Sequence, residues 1–305
     1  MADSSQTQLA SVPEVTPGTT PASPAFQIMR MTGENLKASL QYFRSNEIRK
    51  DRNVGNITQI GGNSGGAVNM ELSYGSFDVW LEALFQSTWN ANVLKNGVTK
   101  KTFTLEKLFE NGATDQYHRY LGAQPNTLNL SLEANKEVVG SFDFVSMSKT
   151  KGTTAIASST YTAATTTDVM NAADNVANLA ITGVTSPRVT KMDISITNNL
   201  APQSAIGSKY PIGVRSGRFQ VTGTLEAYFD NAALYDLFVD NVATDMAFDI
   251  GGVSTQKYNF DLNKIKFIDG EVIAGGNDQD VMARMQFEAY FDGTSNSTMV
   301  LTRTP

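Results

Sequence analysis

The fold class this sequence predicts is mainly β, of the α+β kind: two tandem β-sandwich or barrel domains, each with one flanking α-helix. Three observations carry that reading. Short segments alternate apolar and polar residues with period two, the mark of half-buried strands. In two places such a segment turns abruptly into a helical period. The two places lie about half a chain apart, so one strand-then-helix order is used twice. With 305 residues, 41% hydrophobic and 18% charged, the chain has material for one to three domains and a sizeable core.

Taken in order, residues 1–26 are rich in Pro, Ser and Thr and poor in large apolar side chains, which predicts a flexible N-terminal arm without a core of its own. "VNMELSY" places Val68, Met70, Leu72 and Tyr74 on one face and Asn69, Glu71 and Ser73 on the other. In "SFDVWLEALF", Phe77, Trp80, Leu81, Leu84 and Phe85 recur at helical spacing behind Ser76 as N-cap; their aromatic stripe reads as core. "KTFTLEKLF", "TLNLSLEA" and "VVGSFDFVSM" return to strand alternation. A Thr, Ala and Ser-rich stretch at 148–175 follows, expected to be a long loop, a β-arm or a domain junction. "RFQVTGTLEAYFDNAALYDLF" then alternates through Phe219, Val221, Gly223, Leu225 and Ala227 and becomes helical at Leu234, Leu237 and Phe238, with Asp230 as its expected cap. The division is a first domain at 27–150, a loop or linker at 151–180 and a second domain at 181–305.

The repeat can be followed residue by residue. Displaced by 153 positions, Leu72, Leu81, Leu84 and Phe85 fall on Leu225, Leu234, Leu237 and Phe238. "SNEIRKDRNVG" echoes "TNNLAPQSAIG" at 152, and "FTLEK" echoes "FDLNK" at 157. The sequence reads as a tandem duplication.

"GGNSGGAV" at 61–68 has the look of a serine-protease nucleophile loop, with Ser64 as nucleophile. That chemistry needs a base for the serine proton and a group that orients the base. The single histidine, His118, follows Ser64 instead of preceding it, and Lys50, the nearest lysine before Ser64, offers no recognisable spacing for a Ser–Lys dyad. At a displacement of 152, Ser64 and Gly65 meet Ser216 and Gly217, where the neighbouring Asn and second Gly are lost. A Ser-Gly turn leading into a strand explains both copies, with Gly65 a candidate for positive φ.

Composition removes further classes. Zero cysteines exclude disulfides, thiol catalysis and cysteine-bound metals, and one histidine makes a zinc or haem site improbable, so no cofactor is expected. The 30 acidic against 24 basic residues give a net charge of −6, with no basic run to grip phosphates tightly. "GGNDQD" at 275–280 has some calcium-loop flavour but lacks the alternating ligands and glutamate of an EF-hand, and reads as a solvated turn. No apolar run approaches a membrane span, and the N-terminus lacks the basic and apolar regions of a secretory signal.

"SNEIRKDRNV", "ELSYGSFDVWLEALFQSTW", "TGTLEAYFDNAALYDLF" and "GGNDQDVMARMQFEAYFD" together resemble the tail tube proteins of long-tailed bacteriophages over roughly residues 27–295. The resemblance implies a structural virion protein without catalytic residues: a tube domain of twisted β-sandwich or barrel-like sheet with a flanking helix, polymerised as stacked rings into a hollow tail conduit. It implies as partners further copies of the chain, the tape measure protein inside, the tail terminator and distal tail proteins at the ends, and genomic DNA in transit without tight binding. Its place is the virion tail, after assembly in the host cytoplasm. Relatives with one tube domain close six subunits around the axis, so two domains per chain imply a homotrimeric, pseudo-hexameric ring. The inner wall is expected to be acidic or neutral, because lumenal Lys and Arg would hold DNA in place. Residues 1–25 and 148–175 are expected to be axial connectors that order between rings. The alternative is a two-domain carbohydrate-binding adhesin, with exposed aromatics such as Trp89 or Tyr161 stacking on sugars.

Overall fold

The computed structural model describes residues 3–112 and 114–305. Its first half runs β1 (Thr7–Glu14), β2 (Ala25–Ile28), β3 (Gly33–Glu34), β4 (Lys37–Arg44), β5 (Ile57–Glu71), α1 (Asp78–Leu84), β6 (Val93–Lys95), β7 (Thr102–Phe109), β8 (Gln116–Glu133), β9 (Val139–Ser146), β10 (Ser148–Gly152) and β11 (Thr160–Thr162). The second half runs β12 (Val176–Ile181), β13 (Val189–Thr197), β14 (Ala201–Gln203), β15 (Gly213–Arg215), β16 (Gln220–Tyr228), α2 (Ala233–Val239), β17 (Thr244–Gly251), β18 (Lys257–Ala274), β19 (Val281–Ala289) and β20 (Val300–Thr304). The fold is mainly β, and among the described residues no helix is long and apolar enough to cross a membrane.

One antiparallel order occurs twice. In the first half β3 and β4 lie on β5, β5 on β9, β9 on β8, β8 on β7 and β7 on β1. In the second half β13 lies on β16, β16 on β19, β19 on β18, β18 on β17 and β17 on β12. Each order turns on one long strand: β8 pairs with β7 over 116–123 and with β9 over 124–131, and β18 pairs with β17 over 257–265 and with β19 over 265–274. Bulges mark the change of partner, where an extra residue bends the strand from one layer into the next.

The halves join through β13, which pairs with β8 from Lys191↔Glu133 to Thr197↔Thr127. A second tie is β20, which pairs with both β18 and β6. One continuous core results, running from Trp80, Phe142 and Phe144 to Phe248, Phe260 and Phe287. Trp80 meets Phe142 and Phe144 edge-on at 5.3 and 4.9 Å.

The period-two readings fall on strands as expected: Val68 and Met70 face the core from β5, with Leu72 buried just beyond its end, and Val221, Leu225 and Ala227 from β16. Four expectations need correction. Residues 7–14 are not a free arm: β1 pairs with β7 along its whole length and buries Leu9, Ala10 and Val12, occupying in the first half the place β12 takes in the second. Its few apolar residues suffice because a preformed strand edge supplies the hydrogen bonds. Residues 1 and 2 of that arm lie outside the described residues. The stretch at 148–175 is docked as well: β10 lies on β8, β11 lies parallel on β2, Tyr161 stacks on Phe26 at 5.3 Å, and Met170 is buried.

The helix caps also differ. Phe77 precedes α1, while the Ser76 hydroxyl meets those of Ser73 and Thr165; Ala232 precedes α2, while Asp230 pairs with Arg188 at 3.2 Å. Finally, "FTLEK" lies on β7 and "FDLNK" on β18, strands that occupy different places in the repeated order, so the displacement of 157 does not mark equivalent positions.

Candidate functional site

Ser64 has no catalytic company. On β5 it sits opposite Ala38 of β4 and Ser146 of β9, and its Oγ and that of Ser146 are buried without a hydrogen-bond partner. His118 lies on β8 opposite Lys107 and Lys151, its ring edge-on to Phe109 at 5.4 Å. Burial, and then Lys149, Lys107 and Lys151, lower its pKa. The glycines around Ser64 serve packing. Gly65 has φ +150°, and a Cβ there would lie 2.2 Å from the Phe144 carbonyl oxygen, so no side chain fits between β5 and β9.

The aromatics named for sugar stacking are half-buried and each has a partner within the chain. Arg303 holds its guanidinium 4.6 Å above the Trp89 ring. Tyr161 stacks on Phe26 and donates its hydroxyl to the buried Glu106 carboxylate, which also accepts from Arg119 Nε. Burial, followed by the bond to Glu106, pushes the Tyr161 hydroxyl up to about 12. Residues 275–280 form an exposed turn between β18 and β19, and among the described residues no three His, Asp or Glu side chains gather as metal ligands.

What the fold does build is a broad polar sheet face. β3, β5, β9, the second part of β8, β13, β16, β19 and the second part of β18 form one surface, since β13 pairs with both β8 and β16. Alternation sends one side of each strand into the core and the other onto this face. The face is hollowed to about 950 Å³ and lined by Asn69, Glu71, Asn129, Ser131, Asp193, Ser195, Thr222, Thr224, Gln286 and neighbours. Cross-strand hydrogen bonds knit it together: Ser195 Oγ to Asn129 Oδ1 at 2.9 Å, Ser131 Oγ to Asp193 Oδ1 at 2.5 Å and Gln220 Nε2 to Glu288 Oε1 at 3.0 Å. Its main cations are answered locally, Lys191 by Asp193 at 3.1 Å and Arg284 by Glu226 at 2.9 Å. The Asp193 hydrogen bond raises the Lys191 pKa, and burial raises that of Asp143.

Two edges of this surface are open. On one side β4 is exposed over all eight residues and pairs only with β5. The β4–β5 hairpin also exposes Leu40, Tyr42, Phe43, Ile48, Val54, Ile57 and Ile60 around a tip crossed by an Arg49–Asp51 ion pair. On the other side, β18 beyond Ile265 pairs with β19 alone. The sequence did not point to either edge, because strand alternation says which face is buried but not which edge lacks a neighbour.

A family model described as phage tail tube protein matches residues 4–289. No curated protein matches the chain.

Proposed function

The chain belongs to the phage tail tube protein family, a structural family of the virion tail and not one of enzymes, and from that premise we propose that three copies close a pseudo-hexameric ring. Stacked rings form a hollow conduit that encloses the tape measure protein during assembly and later passes DNA. The observation that carries this reading is the doubled strand order joined by β13 on β8, because a ring of six similar units then needs only three chains. The divisions at 27–150 and 181–305 serve as the two tube domains, each completed by an edge strand drawn mainly from outside those bounds, β1 on β7 and β12 on β17.

The polar sheet face is assigned to the lumen. Glu71, Asp143, Asp193, Glu226 and Glu288 lie on it, and the ion pairs of Lys191 and Arg284 leave few free cations to exchange counterions with phosphates. DNA slides past such a wall without being held. The axial contact is assigned to the β4–β5 hairpin in place of the arms, since it exposes the largest group of apolar side chains.

Image reconstruction of assembled tubes tests the proposal. Three chains per ring, with residues of β9 and β19 both lining the lumen, is the expected result. Six chains per ring with one half of each chain on the outside overturns it.

A further inference from the structure

The junction inside the chain supplies a template for the junction between chains. In the first half Leu128 pairs with Phe142 and Phe142 with Val68; in the second Ile265 pairs with Ala289 and Ala289 with Val221. Val68 and Val221 are equivalent and both fully buried, so Ile265 on β18 holds the place of Leu128 on β8. Likewise Glu34 pairs with Val68 as Ile196 pairs with Val221, so Glu34 holds the place of Ile196 on β13. Within the chain, β13 occupies the edge of β8 that β7 leaves open, with Ile196 opposite Leu128 and Ser195 opposite Asn129. The corresponding edge of β18, left open by β17, has no strand, and β3 has one only on its β5 side.

We infer that a second copy of this chain fills that edge: residues 31–35 of one copy pair antiparallel with residues 264–268 of β18 in the next, placing Glu34 opposite Ile265 and Gly33 opposite Lys266. The inference rests on the ring reading and adds to it the seam, its direction and its register. The contact is head to tail, so it excludes a two-fold dimer and is of the kind from which rings are built.

Two further features mark the β18 side as unfinished. Ile268 is 55% exposed, and in the transferred register Met31 of the second copy lies over it. The end of α1 is clamped across the intrachain junction, where Asn198 Nδ2 donates to the Leu84 carbonyl at 2.7 Å, Gln86 Nε2 donates to Ser216 Oγ at 2.7 Å, and Phe85 meets Phe219 at 5.4 Å. At the equivalent end of α2, Leu237 and Phe238 are only partly buried and Val239 is 58% exposed. The arriving copy brings the segment that supplies this cover.

The chain has no cysteine, so an engineered pair reports without background. A Cβ at Gly33 has Asn69 Nδ2 as its nearest atom at 3.7 Å, which leaves room for a thiol, and Ser195 and Asn129 already touch at the template step. Gly33→Cys with Lys266→Cys is assembled, oxidised and run on a denaturing gel. Covalent species up to three chains and loss of the single-chain band are expected. Each single variant, and an offset pair of Gly33→Cys with Glu271→Cys, is expected to stay single-chain. Rings seen by negative stain whose cysteines do not couple, or couple equally in the offset pair, overturn the seam alone. If the parent protein forms no ring, the ring reading falls and the seam with it. The unassembled double variant is expected to melt with the parent, which separates a missing bond from a misfolded subunit.

Discussion

α1 and α2 hold the same place in the two halves, yet α1 buries Trp80, Leu81, Ala83 and Leu84 while α2 buries only Leu234. The chain finishes the first helix with its own second half: Arg303 and the Tyr258 hydroxyl reach Asp78 at its start, and Asn198 and Ser216 close its end. Among the described residues nothing does the same for α2. A duplicated domain in an open array has one completed junction and one waiting, and the waiting one shows as exposed apolar surface.

The largest expected effect separates the two Ser-Gly pairs, of which Ser64–Gly65 lies inside β5 and not in the turn expected from the sequence, while Ser216–Gly217 lies between β15 and β16. Gly65→Val forces a side chain into left-handed φ against Phe144 and is expected to cost about 3 kcal/mol or more, leaving little folded subunit by denaturant titration. Gly217→Val carries no positive φ, although its Cβ would meet Asn199 O at 2.7 Å, and is expected to cost less. Ser64→Ala removes a hydroxyl that bonds to nothing and is expected to change stability by under about 1 kcal/mol. Equal losses at Gly65 and Gly217 would break the distinction.

Next come the helices themselves. Leu84→Ala empties a fully buried site and is expected to cost about 3–4 kcal/mol in the isolated subunit, against about 1–2 kcal/mol for Leu237→Ala. Tube formation reverses the contrast: Leu237→Ala is expected to raise the concentration needed for assembly, measured by sedimentation. Equal subunit costs would show that α2 is already complete.

A smaller effect compares the docked stretch at 148–175 with the β4–β5 hairpin. Limited trypsin digestion of free subunits is expected to cut at Arg49, Lys50 or Arg52 before Lys149 or Lys151, since the hairpin tip is exposed while β10 is paired. Tyr161→Phe removes a hydrogen bond to the buried Glu106 and is expected to cost about 1–3 kcal/mol and speed cleavage at Lys151. First cleavage at Lys149 or Lys151 in the parent would mean that the stretch is loose.

The smallest effect is pH-dependent. His118 has its pKa lowered in the folded protein, chiefly by burial, so the unfolded chain takes up a proton first as pH falls. Stability from this residue is therefore flat above about 6.5 and declines below it. His118→Gln is expected to flatten the melting temperature between pH 7 and 5.5 relative to the parent. An unchanged slope would assign the decline elsewhere.

Local order was readable from the sequence wherever side chains alone decide it. Val68, Met70 and Leu72, their counterparts Val221 and Leu225, the α1 stripe and Leu234 of α2 follow from periodicity, because a residue's burial in a regular element depends on spacing. Family membership was also legible, from segments kept in order across both halves. Residues 7–14 of the expected arm were misread because their burial comes from the edge of β7, a partner at 102–109 that no local pattern reports.

The sequence by itself determined that the chain is β-rich, that one strand-then-helix order is used twice and that no thiol is present, since those properties follow from which residues are present and how they are spaced. Tertiary structure alone decided which strands are neighbours: β13 closes β8, β1 closes β7, and β4 and the far part of β18 close nothing. Backbone N–H and C=O groups are nearly the same at every residue, so an edge carries little side-chain signature and is recognised only once the whole sheet is laid out.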